Sequence, residues 1–285
     1  MVLSPRRAWR RLIPAIAWAM ALVAATGGAD GRAEERLEAK YRATLSGLTI
    51  GTGDMVLEID RHQYSMSGNG HTVGLMRVLG GGAGEVAAQG AISGKRLMAT
   101  SYAHTIRTKK LQIVKMALAR GTVKQLGVEP PVEPDPEMVR LVDAHKRGVI
   151  DPLSASIVPA AGEGGVGPEA CNQKMPIFDG RLRFDLELSY KRQATVRTDG
   201  YAGPAVVCSV RFEPISGHKK DKYAIRYLRE NREMEIWFVP IRGTPFLGVY
   251  RLFVPTPLGP GVLEATRFVV SNGAARAGSL GARVQ

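Results

Sequence analysis

The sequence predicts an all-β protein with mainly antiparallel strands and a short helical insertion near its middle. Apolar and polar residues alternate with a period of two over most of residues 41–270, as in strands that bury one face. Turn-forming residues interrupt this alternation at regular intervals, which is typical of a meander. The chain has 285 residues, of which 45% are hydrophobic and 23% charged. This composition excludes a wholly disordered or fibrous chain and allows one large domain or two small ones.

The N-terminal segment predicts export. An arginine-rich start precedes an apolar run at residues 12–23, and small residues follow it up to position 33. This is the layout of a secretory signal peptide, with cleavage expected near Glu34 and cleavage after Ala29 or an uncleaved anchor as the alternatives. The run is shorter than the ~20 residues that span a bilayer. We therefore expect a signal peptide at 1–33, a single periplasmic domain at 34–272 that is not transmembrane once processed, and a disordered tail at 273–285.

The charge of the chain favours anionic partners. The formal charge is +13, and removal of residues 1–33 leaves 34 basic and 25 acidic residues, a charge of +9. In the bacterial envelope such a charge speeds encounter with anionic surfaces such as lipid headgroups. Because the chain is predicted to be exported and has no nucleic-acid motif, we expect no nucleic-acid partner.

The first half of the domain is predicted to form a series of hairpins. Residues 41–50 and 55–59 form the first predicted pair, with the turn at Gly51-Thr-Gly53. An apolar stretch at 73–79 and a glycine turn at 80–82 follow the third strand. The further strands expected in this half are 63–70, 84–92, 97–107 and 111–119.

The middle of the chain interrupts the strands. The proline-rich residues 127–136 cannot hold a sheet ladder and predict a loop. Met138, Leu141 and Val142 follow at helical spacing, so we expect a short helix over 136–145 that ends at Gly148. Asp151-Pro-Leu-Ser154 carries a helix start signal and predicts one more helical turn over 153–158.

The second half returns to alternation after a loop at 162–168. The clearest strand is 181–192, which follows the tight-turn dipeptide Asp179-Gly180. The other strands expected here are 171–176, 194–198, 205–214, 223–228, 233–240, 247–254 and 261–270.

The two cysteines predict one disulfide. Cys171 and Cys208 are the only cysteines, and an exported chain leaves the reducing cytosol. Buried free thiols are the alternative, and a redox pair is disfavoured because there is no Cys-x-x-Cys motif.

Four short motifs occur in a specific order and spacing. They are Tyr41 with Gly47 and Gly51, Asp151-Pro-Leu-Ser154, Phe178-Asp-Gly-Arg-Leu-Arg-Phe184, and Glu235-Ile-Trp-Phe238 with Pro245. Together they resemble a family of exported proteobacterial proteins known only as a domain of unknown function, and the resemblance covers about residues 41–270. It implies an open or spiral β-barrel, similar in shape to periplasmic lipoprotein carriers and envelope-integrity proteins, and it supplies no catalytic residues.

The sequence predicts no catalytic site, cofactor or metal. The five histidines lack zinc-site spacing, and no Gly-x-Ser-x-Gly elbow occurs. Gly80 to Gly84 lack the lysine that a phosphate loop needs. An enzyme acting on cell-wall or lipid substrates remains the competing class, with Asp151, Asp179 and His145 as its candidate acid and base residues.

Two basic groups are candidate anion-binding residues. Arg181 and Arg183 share one face of a predicted strand, where they bind an anion or pair internally with Asp185 or Glu187. The second group lies at a predicted hairpin tip that either meets anionic surfaces or is simply solvated, and it comprises Lys219, Lys220 and Lys222.

Aromatic residues near the C-terminus are candidates for the concave face of a curved sheet. One alternating set of them would line such a face, and ordinary core packing is the alternative. The candidates are Trp237, Phe246, Tyr250 and Phe253. We therefore expect a non-enzymatic binding or scaffolding protein of the cell envelope, which holds a lipidic ligand or docks to another envelope protein. A structural protein with a filled barrel is a further alternative.

Overall fold

A computed structural model describes residues 35–74, 81–162 and 165–272. These residues form fourteen strands and one α-helix, α1. The predicted signal peptide, the predicted tail, and residues 75–80 of the predicted apolar stretch and glycine turn lie outside the described ranges. The strands are β1 (Glu35–Leu45), β2 (Leu48–Ile59), β3 (Gln63–Thr72), β4 (Ala83–Ser93), β5 (Arg96–Arg107), β6 (Leu111–Ala119), β7 (Thr122–Glu129), β8 (Ile157–Pro159), β9 (Gln173–Phe178), β10 (Arg183–Thr198), β11 (Tyr201–Ser216), β12 (Glu235–Ile241), β13 (Phe246–Thr256) and β14 (Gly259–Asn272), and α1 is Tyr223–Glu230.

All strands belong to one antiparallel sheet that does not close. Its order is β7-β6-β5-β4-β3-β2-β1-β14-β13-β12-β11-β10-β9, and β8 pairs with β13 beside this path. The first strand pairs with the last, so the two halves of the chain meet in the middle of the sheet. Strands β7 and β9 form the two ends and share no ladder. The predicted all-β, antiparallel, open fold is confirmed.

The two ends of the sheet are joined without a strand ladder. The Val149 N–H donates to the Gly121 carbonyl at the β6–β7 turn, and Ile150 forms a parallel bridge with Ile177 of β9. From the β9–β10 turn, Arg181 Nη2 donates to the Pro130 carbonyl just after β7. Residues 149–150 and the Arg181 side chain therefore connect the two ends of the sheet, which gives the curled sheet a barrel-like form.

The core consists of three clusters, and β12 and β13 contribute alternate residues to two of them. One surrounds Leu57 and Phe268, where β1–β3 face β13 and β14. The second surrounds Cys208 and the strands that follow it. In the third, fully buried Phe178 of β9 belongs to the same cluster as Val114 of β6, so the core also spans the gap between the sheet ends.

The first hairpin turns earlier than predicted. Ser46 (φ 49°) and Gly47 (φ 80°) make the β1–β2 turn, with the two positive φ angles of a type I′ hairpin loop. The predicted turn at residues 51–53 was wrong because these residues continue β2. A Cβ at Gly53 would lie 2.6 Å from the Asn69 carbonyl oxygen, so a glycine fits there because of a close backbone approach.

Several other boundaries differ from the prediction. Strand β7 was missed; it follows a turn at Arg120 and Gly121, both with positive φ, and its last three residues extend into the predicted loop. The predicted strands 181–192 and 194–198 are one long strand, β10, with a bulge between Tyr190 and Arg192. The Asp179-Gly180 turn is confirmed, because Asp179 Oδ1 accepts the Arg181 N–H at 2.7 Å.

The helical insertion is shorter than predicted. Only 3₁₀ turns at Asp143–Lys146 and Ser154–Ser156 form where an α-helix and a further helical turn were expected. The main chain near Met138 pairs with residues after β11 instead: Met138 forms a bridge with Lys219, and the Val139 N–H donates to the His218 carbonyl. These tertiary bonds outweigh the local helical spacing.

The segment 223–228 was wrongly predicted as a strand and is the start of α1. Its six residues fit both the strand period of two and the helical period of 3.6 residues. The helix is favoured because Leu228 packs against the cluster around Cys208. The tyrosines at 223 and 227 then lie one turn apart, with ring centroids separated by 6.1 Å.

Candidate functional site

An apolar cavity of about 610 Å³ lies inside the curled sheet. Both halves of the chain form its wall, and residues 152–156 contribute the only part that is not strand or strand-end. Several of its apolar side chains remain partly solvent-accessible although they face inward. They include Tyr41, Val86, Ile106, Leu186, Leu252 and Leu263. The cavity lies within the range of about 300–1,000 Å³ that is usual for small-molecule sites.

A row of glycines opens one wall of this cavity. Gly53 of β2 lies opposite Gly70 of β3, and Gly70 lies opposite Gly84 of β4. By strand alternation all three face the same side as Met66 and other buried inward residues. Three neighbouring strands therefore present no side chain at this level, and the space that side chains would fill stays open.

The cavity floor is a rigid buried polar cluster. Asp151 Oδ1 accepts the N–H groups of Leu153 at 3.0 Å and Ser154 at 2.9 Å, so the predicted start signal at 151–154 caps a 3₁₀ turn. The Ser154 hydroxyl is 2.7 Å from the Tyr64 hydroxyl. Asp151 and Ser154 have no exposed surface. The cluster fixes the loop that carries Pro152 into the cavity wall.

Burial controls the protonation of this floor. Burial raises the pKa of Asp151, although hydrogen bonds from Ser154 and Leu153 oppose the shift. Its second oxygen, Oδ2, has no hydrogen-bond partner among the described residues. Burial also raises the pKa of Tyr64, and the nearby Asp151 adds to that shift. Burial thus shifts this carboxyl group toward its protonated form relative to an exposed aspartate.

One side of the cavity carries uncharged hydrogen-bonding groups. Tyr102 and His104 lie two residues apart on the inner face of β5, with the Tyr102 hydroxyl 3.1 Å from His104 Nδ1. Burial lowers the pKa of His104, while Asp179 opposes and Arg181 reinforces the shift. Burial also raises the pKa of Tyr102. The imidazole and phenol are therefore both neutral near pH 7.

No lysine or arginine is found among the described residues that line the cavity. Three carboxylates line it, those of Asp54, Glu85 and Asp179, and Asp179 Oδ1 already accepts the N–H groups of Arg181 and Leu182. The described lining thus combines apolar walls with neutral hydrogen-bonding groups and carboxylates, and it offers no cation to an anionic headgroup. A larger hollow of about 710 Å³ lies along β2–β5 and shares part of this lining, including Asn69 and Glu85.

The predicted arginine pair is engaged within the protein. Arg183 is paired with Asp185, and its side chain is 12% exposed. Arg181 Nη2 donates to the Glu129 carbonyl at 3.3 Å and to the Pro130 carbonyl at 2.8 Å. Arg181 therefore stabilises the join between the sheet ends, whereas Arg183 pairs within β10.

The predicted lysine group divides into two parts. Lys219 forms salt bridges with Asp135 at 3.1 Å and Glu137 at 2.9 Å. Lys220 and Lys222 are exposed and have no salt bridge within the described ranges. They lie in a loop that leads into α1, not at a hairpin tip.

The predicted concave-face aromatics lie away from the cavity. Phe246 and Tyr250 are buried in the core cluster around Leu57 and Phe268, and Phe253 is half-buried elsewhere. Their neighbours in sequence line the cavity instead, because a bulge between residues 237 and 238 shifts the pairing of β12 with β13. The lining residues of these two strands are Ile236, Val249 and Leu252.

Trp237 lies on the opposite face of β12 from Ile236. Its ring is stacked between the guanidinium groups of Arg192 at 5.1 Å and Arg251 at 5.3 Å. Its Nε1 donates to Glu235 at 2.8 Å. Burial alone would raise the pKa of Glu235, but bonds from Arg192, Lys191 and Trp237 outweigh it and lower the pKa to about 2.

The candidate acid and base residues do not form a catalytic pair among the described residues. The hydrogen bonds of Asp151 and Asp179 run to their own turns, and His145 Nδ1 lies 3.4 Å from the Val142 N–H within the first 3₁₀ turn. The described part of the chain also contains no cluster of metal-ligating side chains. None of the described helices is long and apolar enough to cross a membrane.

The predicted disulfide between Cys171 and Cys208 is confirmed. Both residues are fully buried, and their Cα atoms are 5.3 Å apart. The bond joins the 3₁₀ turn at Pro168–Cys171 to the middle of β11. It lies in the core cluster that also contributes Leu186 and Leu252 to the cavity wall.

An open antiparallel sheet curled around an apolar cavity defines a β-barrel-like protein. The sequence also shows its family: the chain belongs to the family described as protein of unknown function (DUF3108), whose model matches residues 40–266. The predicted resemblance to an unknown-function family is thereby confirmed.

One similar solved structure is the crystal structure of a β-barrel-like protein of domain of unknown function DUF1849 from Brucella abortus. It is 11% identical, with a TM-score of 0.43 and coverage of 84% of this chain and 98% of that chain. No curated protein matches the sequence.

Proposed function

We propose that this protein is a non-enzymatic periplasmic binding protein that holds one lipidic ligand in its interior cavity and supports the integrity of the cell envelope. The observation that carries the proposal is the apolar cavity of about 610 Å³ inside the sheet. Export is supported by the arginine-rich start with its apolar run and is compatible with the buried disulfide.

The cavity wall favours an aliphatic ligand. Leu186, Leu252 and Leu263 are each partly accessible on the inner side, where a core would normally bury them. Burial of apolar surface by a ligand is favourable by about 25 cal/mol per Å². The row formed by Gly53, Gly70 and Gly84 provides room for a chain to lie against the backbone.

The polar side of the cavity favours a ligand with a neutral polar end. Tyr102 and His104 offer an uncharged donor and acceptor pair, and the described residues that line the cavity include no lysine or arginine. An anionic group placed there would lose its hydration without gaining a cationic partner, which is costly. A long-chain alcohol, amide or ester therefore fits better than a free fatty acid.

The proposal is tested by titrating delipidated protein with a fluorescent long-chain alcohol and the matching fatty acid at neutral pH. We expect saturable binding of one molecule, with the alcohol bound more tightly than the acid. Tyr102→Phe should weaken alcohol binding by about threefold to tenfold, as expected for one hydrogen bond.

The control for this variant is Tyr223→Phe, which changes an exposed tyrosine on α1 outside the cavity. It should leave the affinity unchanged. Failure of both probes to bind, together with no lipid released on organic extraction, would contradict the binding function. Tighter binding of the acid would contradict the neutral polar end.

A further inference from the structure

Helix α1 lies on the sheet with a basic outer side. The segment from residue 218 to residue 233 contains six Lys or Arg residues and three Asp or Glu residues. The inner side of the helix is fixed because Leu228 packs against the disulfide cluster. Its other side therefore faces solvent at a defined place on the protein.

The loop before α1 is also held in place. The Lys220 N–H donates to the Glu137 carbonyl at 2.9 Å, and the Gly217 N–H donates to the Val139 carbonyl at 2.8 Å. The salt bridges of Lys219 add a side-chain tie to the same segment. The charges that follow are thus presented by an ordered surface.

The outer side combines free cations with one exposed and one half-buried tyrosine ring. Four basic side chains are exposed and have no salt bridge in the part of the chain that the structure describes. Tyr223 is 59% exposed and lies beside Tyr227. This combination is typical of short helices that lie at a membrane surface. The four cations are Lys220, Lys222, Arg226 and Arg229.

We propose that α1 and the loop at residues 218–222 form a docking surface for an anionic phospholipid bilayer. The cations face the negative headgroups, and the two tyrosines lie at the headgroup level. Leu228 belongs to the same apolar cluster as Leu186 and Leu252, which line the cavity. Docking therefore brings this wall of the cavity toward the bilayer. The docking surface itself does not depend on the proposed cavity ligand.

Cosedimentation with vesicles tests the docking surface. The protein used comprises residues 34–285, the chain without the predicted signal peptide. The vesicles contain phosphatidylglycerol and phosphatidylcholine in equal parts, or phosphatidylcholine alone. Each basic residue at an anionic surface strengthens binding by about fivefold, so loss of all four should weaken binding by about a hundredfold or more. The test variant combines Lys220→Gln, Lys222→Gln, Arg226→Gln and Arg229→Gln.

A matched control removes four other exposed lysines that have no salt bridge among the described residues. It changes the net charge equally and should keep the wild-type affinity. Equal losses in both variants, or equal wild-type binding to both kinds of vesicle, would overturn the proposal. So would the absence of binding to the anionic vesicles. The control variant combines Lys109→Gln, Lys110→Gln, Lys115→Gln and Lys124→Gln.

The single variant Tyr223→Ser tests the same surface without a change of charge. Its side chain is exposed, so the fold should be kept. We expect weaker binding to the anionic vesicles at high salt, where aromatic contacts contribute more of the affinity. Unchanged binding at high and low salt would contradict a role for the outer side of α1.

Discussion

Replacement of Gly70 by leucine fills the proposed binding cavity from its glycine wall. A Cβ at this position meets the Thr52 carbonyl oxygen at 3.5 Å, an ordinary van der Waals distance, and its φ angle is not in the left-handed region. The added side chain points toward the same space as Met66 and Tyr102. The strand therefore accepts the substitution, and the cavity loses volume.

The expected loss of affinity follows from the volume that leucine occupies. Its side chain displaces about four methylene groups of an aliphatic ligand, and each is worth about 0.8 kcal/mol on burial. Binding should weaken by about 3 kcal/mol, or roughly a hundredfold. The free energy of unfolding should rise by about 0.5–1 kcal/mol, because a glycine inside a strand is replaced.

The assay measures binding of the fluorescent long-chain alcohol and urea unfolding on the same samples. Gly127→Leu is the control, since Gly127 also lies in a strand and its Cβ would meet only the Lys115 carbonyl oxygen at 4.0 Å, outside the cavity. It should not change alcohol binding. If Gly70→Leu destabilises the protein by about 1–3 kcal/mol, the space is filled by the core, and the reasoning is refuted.

Three further predictions concern stability. The double substitution of Cys171 and Cys208 by alanine should lower the free energy of unfolding by about 3–4 kcal/mol, measured in urea, because a loop with a sequence separation of 37 is released. Glu235 has a pKa near 2 when folded and an ordinary value of 4.5, so its stabilisation is complete above pH 4.5 and is lost as pH falls toward 2. In Glu235→Gln, the midpoint of urea unfolding should therefore depend less on pH over this range. Asp151 has the opposite effect on the pH dependence of stability because its pKa is raised on folding. Its contribution is greatest below its unfolded pKa and is lost as pH rises through its folded pKa. Asp151→Asn should not lower the stability at neutral pH, whereas Asp151→Ala should lose about 1–3 kcal/mol by thermal unfolding, because two N–H groups lose their acceptor.

A specific experimental result would contradict each of these predictions. An unchanged urea midpoint in the cysteine variant would show that the bond contributes nothing beyond the packed cluster around it. Parallel pH profiles for wild type and Glu235→Gln would show that the carboxylate is not responsible for the acid sensitivity. Equal losses for Asp151→Asn and Asp151→Ala would show that the charge at the cavity floor is required.

The sequence predicts the strands well because most of them bury one face. Alternation in β10, with Leu186 and Leu188 on one side, identifies the strand and its inner face without tertiary information. The disulfide follows from the count of cysteines and the predicted export. The Asp179-Gly180 turn follows from local turn chemistry.

The cavity is harder to predict because it depends on strand register. Gly53 was interpreted as a turn residue, since glycine is the commonest local sign of a turn, and only the pairing of β2, β3 and β4 places it in a row with Gly70 and Gly84. The polar pair of Tyr102 and His104 could have been predicted from the sequence, because residues two apart in a strand share one face.

The position of the predicted concave-face aromatics of β12 and β13 outside the cavity lining has a similar cause. A bulge adds one residue to β13 opposite Trp237 and Phe238, and alternation cannot be carried across it. The inner positions therefore belong to Ile236 and Leu252, while Trp237 is covered by arginines on the other face. For α1, the sequence pattern fits a strand and a helix equally well, and only the packing of Leu228 decides.

Native mass spectrometry of the protein purified from its own cells tests the central claim most directly. Wild type and Gly70→Leu are compared before and after organic extraction. The account predicts a discrete mass excess on the wild type that extraction removes and that Gly70→Leu lacks. A wild-type protein that carries no added mass, even after incubation with a lipid extract of those cells, would contradict a ligand in the cavity.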